Sequence, residues 1–317
     1  MKKYESNELK DTRSGFGAGL VEAARANENI VALSADLTES VKMDGFAKEF
    51  PNRFFKAGIA EANMTGVAAG LATAGKVPFI GTFSVFATGR SYDQVRQSVA
   101  YSNKNVKICG SHAGLTLGED GATHQILEDL GLMKMLPNMV VLNPCDFNQT
   151  KLATIAAAEY EGPVYLRFGR PKVPNFTPVN AEFKIGKAIV FEEGTDVSIF
   201  ATGHMVWKAL EAAEILESQG VHAEVINIHT IKPLDTEAII KSAAKTRAVV
   251  SAEEHFIYGG LGESIAGVLA RQLPTPIEMV GVADTFGESG TGDELMEKYH
   301  CDTQDIVSAA LTAISRK

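Results

Sequence analysis

Apolar and polar positions follow two alternating rhythms along this chain. Ile30–Ser34 (IVALS), Val77–Ile80, Val106–Gly110 (VKICG), Val140–Leu142 and Val164–Arg167 are short, almost continuously apolar runs. Such runs read as strands covered on both faces. Phe54–Lys56 reads as one more short strand. Helical spacing fills the intervals: Arg13–Arg25 with Ala, Gly and Leu on its inner face, the stretch that opens at Glu61, Tyr92–Ser102, Ile126–Met135 and Asn148–Tyr160. This alternation predicts a parallel, helix-covered sheet of about six strands.

The rhythm breaks at Arg170–Ala181 (RPKVPNFTPVNA), which holds three prolines. It then resumes with the strands Val197–Ala201, Ala223–Ile228, Ala248–Ala252 and Ile277–Val282. The helices Met205–Gln219, Asp235–Lys245 and Leu261–Gln272 and a charged C-terminal helical region accompany them. The pattern predicts an α/β chain of two doubly wound domains, 1–175 with a parallel sheet and a smaller 176–317 with a mostly parallel one. A length of 317 residues lets each domain bury its own core.

Charge and cysteine usage narrow the classes. A formal net charge of -9 argues against nucleic-acid or membrane-surface binding. It leaves room for a local positive pocket that takes a phosphorylated metabolite. Cys109, Cys145 and Cys301 lack CxxC spacing, so no metal site and no disulfide framework is expected. The N-terminal MKKYESNELKD has no apolar signal core and no stretch reaches membrane-span length, so a cytoplasmic setting is expected.

Candidate chemistry centres on Lys56–Tyr92. Glu61 opens a helix in which Gly66, Ala68, Ala69, Gly70, Ala72 and Ala74 leave so little bulk that another backbone can lie against it. Phe83 and Phe86 follow in a loop after the strand Val77–Ile80. A poorly solvated acid beside an aromatic platform suits a flat nitrogen heterocycle, with which it can exchange a proton. The alternative reading is a first-turn acid stabilised by the helix dipole and two core phenylalanines. Ser111–Gln125 packs His112, Glu119, Asp120 and His124 around Gly114, Gly118 and Gly121. Glycines bring backbone against a ligand and histidines relay protons; a helix beginning at Asp120–Gly121 would also welcome an anion. A metal site and a plain surface loop are the competing readings. Asp36-Leu37-Thr38 follows the strand Ile30–Ser34, at an edge where open α/β sheets place ligands. Arg167 ends a strand and reads either as a phosphate clamp or as a domain-interface salt bridge. Arg90 has a similar pair of readings, as a clamp or as a solvated helix-end charge. Glu254 and His255 in EEHFIYGGLGES fit a structural or interface role better than catalysis.

Together, SADLTES (34–40), FKAGIAEANM (55–64), TFSVF (82–86), GLTLGEDGATHQ (114–125), LPNMVVLNP (136–144) and EEHFIYGGLGES (253–264) resemble the C-terminal half of transketolase. That half is a pyrimidine-binding domain of thiamine diphosphate enzymes followed by the transketolase C-terminal domain, and the resemblance covers essentially the whole chain. It implies that Glu61 hydrogen-bonds the aminopyrimidine ring and favours the imino tautomer that deprotonates the thiazolium carbon. It implies Phe83 and Phe86 around that ring, with Gly89 where many members carry a third aromatic. Asp36 and Leu37 would line the cofactor and the sugar channel. His112, Asp120 and His124 would hold the sugar, with His112 and His124 also serving catalysis, while Ser40, His112 and Arg167 would meet its phosphate.

The resemblance also implies a partner. The GDG-type loop that holds metal and diphosphate in such enzymes occurs nowhere in this sequence. A separate N-terminal subunit would supply it, together with Mg or Ca, so this chain itself would hold no metal. Two copies of each chain are expected, with this one also pairing with itself. The implied function is a split transketolase, moving a two-carbon ketol unit from a ketose phosphate to an aldose phosphate. A relative acting on a branched or sulfonated ketose, a beta-type subunit of an oxoacid decarboxylase or dehydrogenase, and a non-catalytic binding module are the other readings.

Overall fold

The computed structural model describes residues 4–6 and 8–317. Its first sheet has seven strands in the order Thr230–Lys232, Val140–Leu142, Val164–Arg167, Lys107–Ser111, Val77–Phe83, Ile30–Ser34 and Phe54–Lys56. The last six are mutually parallel. All five residues of Ile30–Ser34 are buried, because helices cover both faces of this interior strand. The second sheet runs Ile277–Val282, Val249–Phe256, Val197–Ala201, Ala223–Asn227 and Ile189–Glu192, with only the last antiparallel to its neighbour. Two α/β units with mostly parallel sheets are therefore present.

Local chemistry sets the helix ends. Asp11 caps Thr12–Ala26 by accepting the Ser14 N–H, and Asp146 caps Phe147–Glu159 by accepting the Gln149 N–H. These two helices touch backbone to backbone. A Cβ on Gly15 would stand 2.3 Å from the Phe147 carbonyl oxygen, and one on Gly19 would stand 2.6 Å from that of Lys151. Among the described residues no helix is long and apolar enough to cross a membrane.

Several expectations need correction. Thr230–Lys232, from the middle of the second unit, adds an antiparallel edge to the first sheet beside Val140–Leu142. Leu9–Asp11 pairs with Lys172–Pro174, inside the proline-rich stretch, and Ile189–Glu192 is a further strand absent from the periodicity. Each is three or four residues long and gains its hydrogen bonds only from a distant partner. The helix expected over Ile126–Met135 is confined to Asp129–Lys134, and no helix begins at Asp120–Gly121. Three glycines in this region, Gly114, Gly118 and Gly121, favour turns over helix, and all three have positive φ. Tyr92–Ser102 is α-helical only at Tyr92–Gln94 and continues as a π-helical turn over Val95–Tyr101.

Candidate active site

Parallel pairing brings the carboxyl ends of Ile30–Ser34, Val77–Phe83 and Lys107–Ser111 to one edge of the first sheet. The candidate residues gather there. Glu61 is the first residue of the helix Glu61–Thr73, and its side chain is 2% exposed. Phe83 closes its strand, and Phe86 sits on the π-helical turn Val85–Arg90 rather than in the open loop that the sequence suggests. The two rings stack with centroids 5.9 Å apart. His112, with φ 59°, stacks on Phe83 at 3.9 Å, and His124 meets the edge of Phe86 at 5.6 Å.

Arg90 joins the acid to the aromatics. Its Nη1 donates to both Glu61 carboxylate oxygens, at 3.1 and 3.0 Å, and its guanidinium lies 4.2 Å from the Phe86 ring centre. Half of the Arg90 side chain stays exposed. A flat, N–H-bearing group thus already rests on the aromatic face and bonds the buried acid. A planar nitrogen heterocycle would need the same two contacts, so the residues present fit the aminopyrimidine end of thiamine diphosphate. Of the two readings of Arg90, the geometry shows the half-exposed charge at the end of the turn Val85–Arg90, here paired with Glu61.

His112 is buried, and its Nδ1 shares a proton with the Ser111 hydroxyl at 2.8 Å. Burial and the positive charges of Arg13 and Arg170 push its imidazole down to about 3, so it is neutral at physiological pH. Asp120 is exposed, and His124 is half-buried with Nδ1 2.9 Å from the Thr123 hydroxyl. Asp36, Leu37 and Ser40 lie at the same sheet edge. Asp36 takes the left-handed conformation at φ 62°, the Leu37 N–H donates to the Ser34 hydroxyl, and the Ser40 carbonyl accepts from Arg13 at 3.1 Å.

Arg167 does not point into this site. Its side chain is 4% exposed; Nε donates to Asp129 at 2.8 Å and Nη2 to the Glu254 carbonyl at 2.8 Å. Its salt bridge, to Asp129, lies within the first domain, and the contact between domains is its hydrogen bond to the Glu254 carbonyl. Sequence reasoning missed two better placed cations. Arg13 and Arg170 line a cleft of about 520 Å³ with Gly118, Glu119 and Lys172. The signal was present in RFGR, where Arg170 stands three residues beyond Arg167 on the chain leaving the sheet.

Glu254 and His255 make contacts across the domain boundary, in keeping with the structural or interface role that the sequence suggests, and Glu253 supports the fold beside them. Glu253 accepts the N–H groups of Leu261 and Gly262 at the start of the helix Leu261–Gln272, and burial pushes its carboxyl up to about 7. His255 Nε2 accepts the Gly131 N–H across the domain boundary at 3.3 Å.

A paired carboxylate and stacked aromatics at the carboxyl edge of a parallel sheet, backed by a second α/β unit, form a site that fits a flat nitrogen heterocycle. The chain belongs to the transketolase family: the transketolase pyrimidine-binding domain matches residues 9–175 and the transketolase C-terminal domain residues 186–306. Two relatives span nearly the same length. A 6-deoxy-6-sulfo-D-fructose transketolase subunit of Clostridium sp. (strain MSTE9) is 45% identical over 99% of this chain and 97% of its own. An apulose-4-phosphate transketolase subunit of Phocaeicola vulgatus is 37% identical over 98% of this chain and 100% of its own. A solved structure described as "Split gene transketolase, inactive beta4 tetramer" is 49% identical, covers 96% of this chain and 98% of its own, and superimposes with a TM-score of 0.91.

Proposed function

We propose that this chain is the C-terminal subunit of a split transketolase. It transfers a two-carbon ketol unit from a ketose phosphate to an aldose phosphate, and a separate diphosphate-binding subunit completes its site. The observation that carries the reading is the shared geometry of Glu61 and Phe86, an acid and an aromatic face already bridged by one planar nitrogen group. In the assembly Glu61 holds a proton at the aminopyrimidine ring nitrogen, and Phe83 and Phe86 fix the plane of that ring. When bound, thiamine diphosphate would supply the carbon nucleophile for the two-carbon transfer. The Mg or Ca ion that anchors its diphosphate belongs to the partner. His112, Asp120 and His124 hold the sugar hydroxyls, neutral His112 through Nε2 since its Nδ1 bonds the Ser111 hydroxyl. Asp36 and Leu37 border the channel, and Ser40 stands beside Arg13.

Arg13 and Arg170 are the cations we assign to the anionic end of the sugar, in place of Arg167. A sulfonated ketose is the second reading, favoured by the 45% identical sulfofructose transketolase subunit. Comparing kcat/KM for phosphorylated and sulfonated donors decides between them. Two copies of each chain, with this chain also pairing with itself, form the proposed assembly.

Glu61→Gln in the assembled enzyme tests the central claim. Gln is nearly isosteric and still meets a ring nitrogen, but it cannot exchange a proton with it. Turnover should fall by roughly two orders of magnitude or more, with cofactor affinity largely kept. Hydrogen–deuterium exchange at the thiazolium C2 should slow in parallel. Wild-type exchange and turnover in this variant would remove Glu61 from the mechanism.

A further inference from the structure

The segment carrying His112, Asp120 and His124 has little regular structure, one 3-10 turn over Leu115–Leu117. The second domain holds it in place at several points. Near its start, the Thr116 N–H donates to Glu254 Oε1 at 2.5 Å. Gly114 takes φ +87°, and a Cβ there would stand 2.3 Å from the Glu254 carboxyl carbon, so the backbone folds directly over that carboxylate. Glu254 Oε2 lies 2.8 Å from His204 Nε2. Burial pushes the Glu254 carboxyl up. His204, Arg167 and the Thr116 amide outweigh burial and hold it below its ordinary value. At the far end Gln125, next to His124, donates from Nε2 to the carbonyls of Leu115, Gly118 and Glu288. The last of these belongs to the second domain, and Ser289 packs where a Cβ of Gly121 would be.

Glu61, Phe83 and Phe86 are carried instead by elements of the first sheet layer: the helix Glu61–Thr73, the strand Val77–Phe83 and the turn Val85–Arg90. The molecule therefore separates two tasks. One set of elements meets the cofactor ring, and a loop pinned from the other domain meets the sugar.

We propose that Glu254 is a positioning residue for ketose recognition, a second-domain carboxylate whose bond to the Thr116 amide sets where His112, Asp120 and His124 stand. The inference rests on the proposed role of that loop in holding the sugar. A buried acceptor that is removed leaves the Thr116 N–H without a partner, which loosens the segment rather than shifting it cleanly. Glu254→Gln keeps the shape and the acceptor oxygen, whereas Glu254→Leu keeps only the bulk.

The test has two arms. In the chain alone, amide exchange across 113–125 should rise about tenfold in Glu254→Leu, with 61–90 unchanged and Glu254→Gln near wild type. In the enzyme assembled with its diphosphate-binding partner, Glu254→Leu should raise the ketose KM about tenfold. Its kcat and thiamine diphosphate affinity should stay within about twofold, and Glu254→Gln should restore the KM. Wild-type exchange in the loop, or faster exchange over the whole chain, overturns the proposal. So does an equal loss of cofactor affinity and ketose affinity. A loosened loop with an unchanged ketose KM overturns the role in recognition. A wild-type assembly without ketol transfer would remove the functional reading instead, and the exchange arm would still decide the anchoring. Should Glu254→Leu fail to fold, Gln125→Met replaces it in both arms, since it removes the donors at the loop's other end without touching a buried charge.

Discussion

A carboxylate with 2% of its side chain exposed needs a partner, and Arg90 is the one that Glu61 has found. The same guanidinium covers Phe86, so the two groups assigned to the cofactor ring are engaged before the ring arrives. Binding must then displace a charge-assisted contact, tempered by the half-exposed position of Arg90 in water. Arg90→Met should therefore tighten thiamine diphosphate binding to the assembled enzyme by about tenfold, the equivalent of one modest hydrogen bond. Titration calorimetry on the two assemblies reads this directly. Weaker binding in the variant would mean that Arg90 stays with the cofactor. Arg167 teaches the opposite lesson. An arginine at the end of a strand looked available for a ligand, but Asp129 and the Glu254 carbonyl use its donors.

Helices of similar composition answer differently to one substitution. In Thr12–Ala26, a Cβ on Gly19 would meet the Lys151 carbonyl at 2.6 Å and the Thr154 Cβ at 2.8 Å. In Glu61–Thr73, a Cβ on Gly70 would meet nothing within 4 Å. Alanine gains about 0.5–1 kcal/mol over glycine inside a helix. At Gly19 that gain is outweighed by an overpacking cost of about 1–3 kcal/mol. Denaturant titration of the chain should show Gly19→Ala less stable than wild type and Gly70→Ala more stable. Two changes of the same sign would contradict the packing described here. The loop Ser111–Gln125 lies at the other extreme, since it borrows its shape from Glu254, Glu288 and Ser289.

In the proposed assembly this chain offers a place for a pyrimidine ring and for a sugar, while the partner carries the metal and diphosphate. Metal-bridged phosphate contacts supply much of such a cofactor's affinity. The chain alone should bind thiamine diphosphate at least about a hundredfold more weakly than the assembly, and should catalyse no transfer. Calorimetry with and without the partner checks both. Tight stoichiometric binding to the isolated chain would end the split-enzyme reading.

Local pattern alone determined the six parallel strands of the first sheet and most of the helices. Those features depend on near neighbours in sequence: apolar runs that must be buried and helical spacing between them. Local pattern left the acid, the aromatics and the GEDGATHQ loop with competing readings, and their roles were legible only through the resemblance of whole motifs to transketolase. Only the tertiary structure decided the rest. It placed Thr230–Lys232 in the first sheet, sent Arg167 into a salt bridge, brought Arg13 and Arg170 to one cleft, and set Glu254 beneath Gly114. Each of these pairs groups far apart in the chain. Such partners are chosen by which surfaces the packed domains bring together and by the cost of leaving a buried charge or N–H unpaired, and no window of sequence contains either.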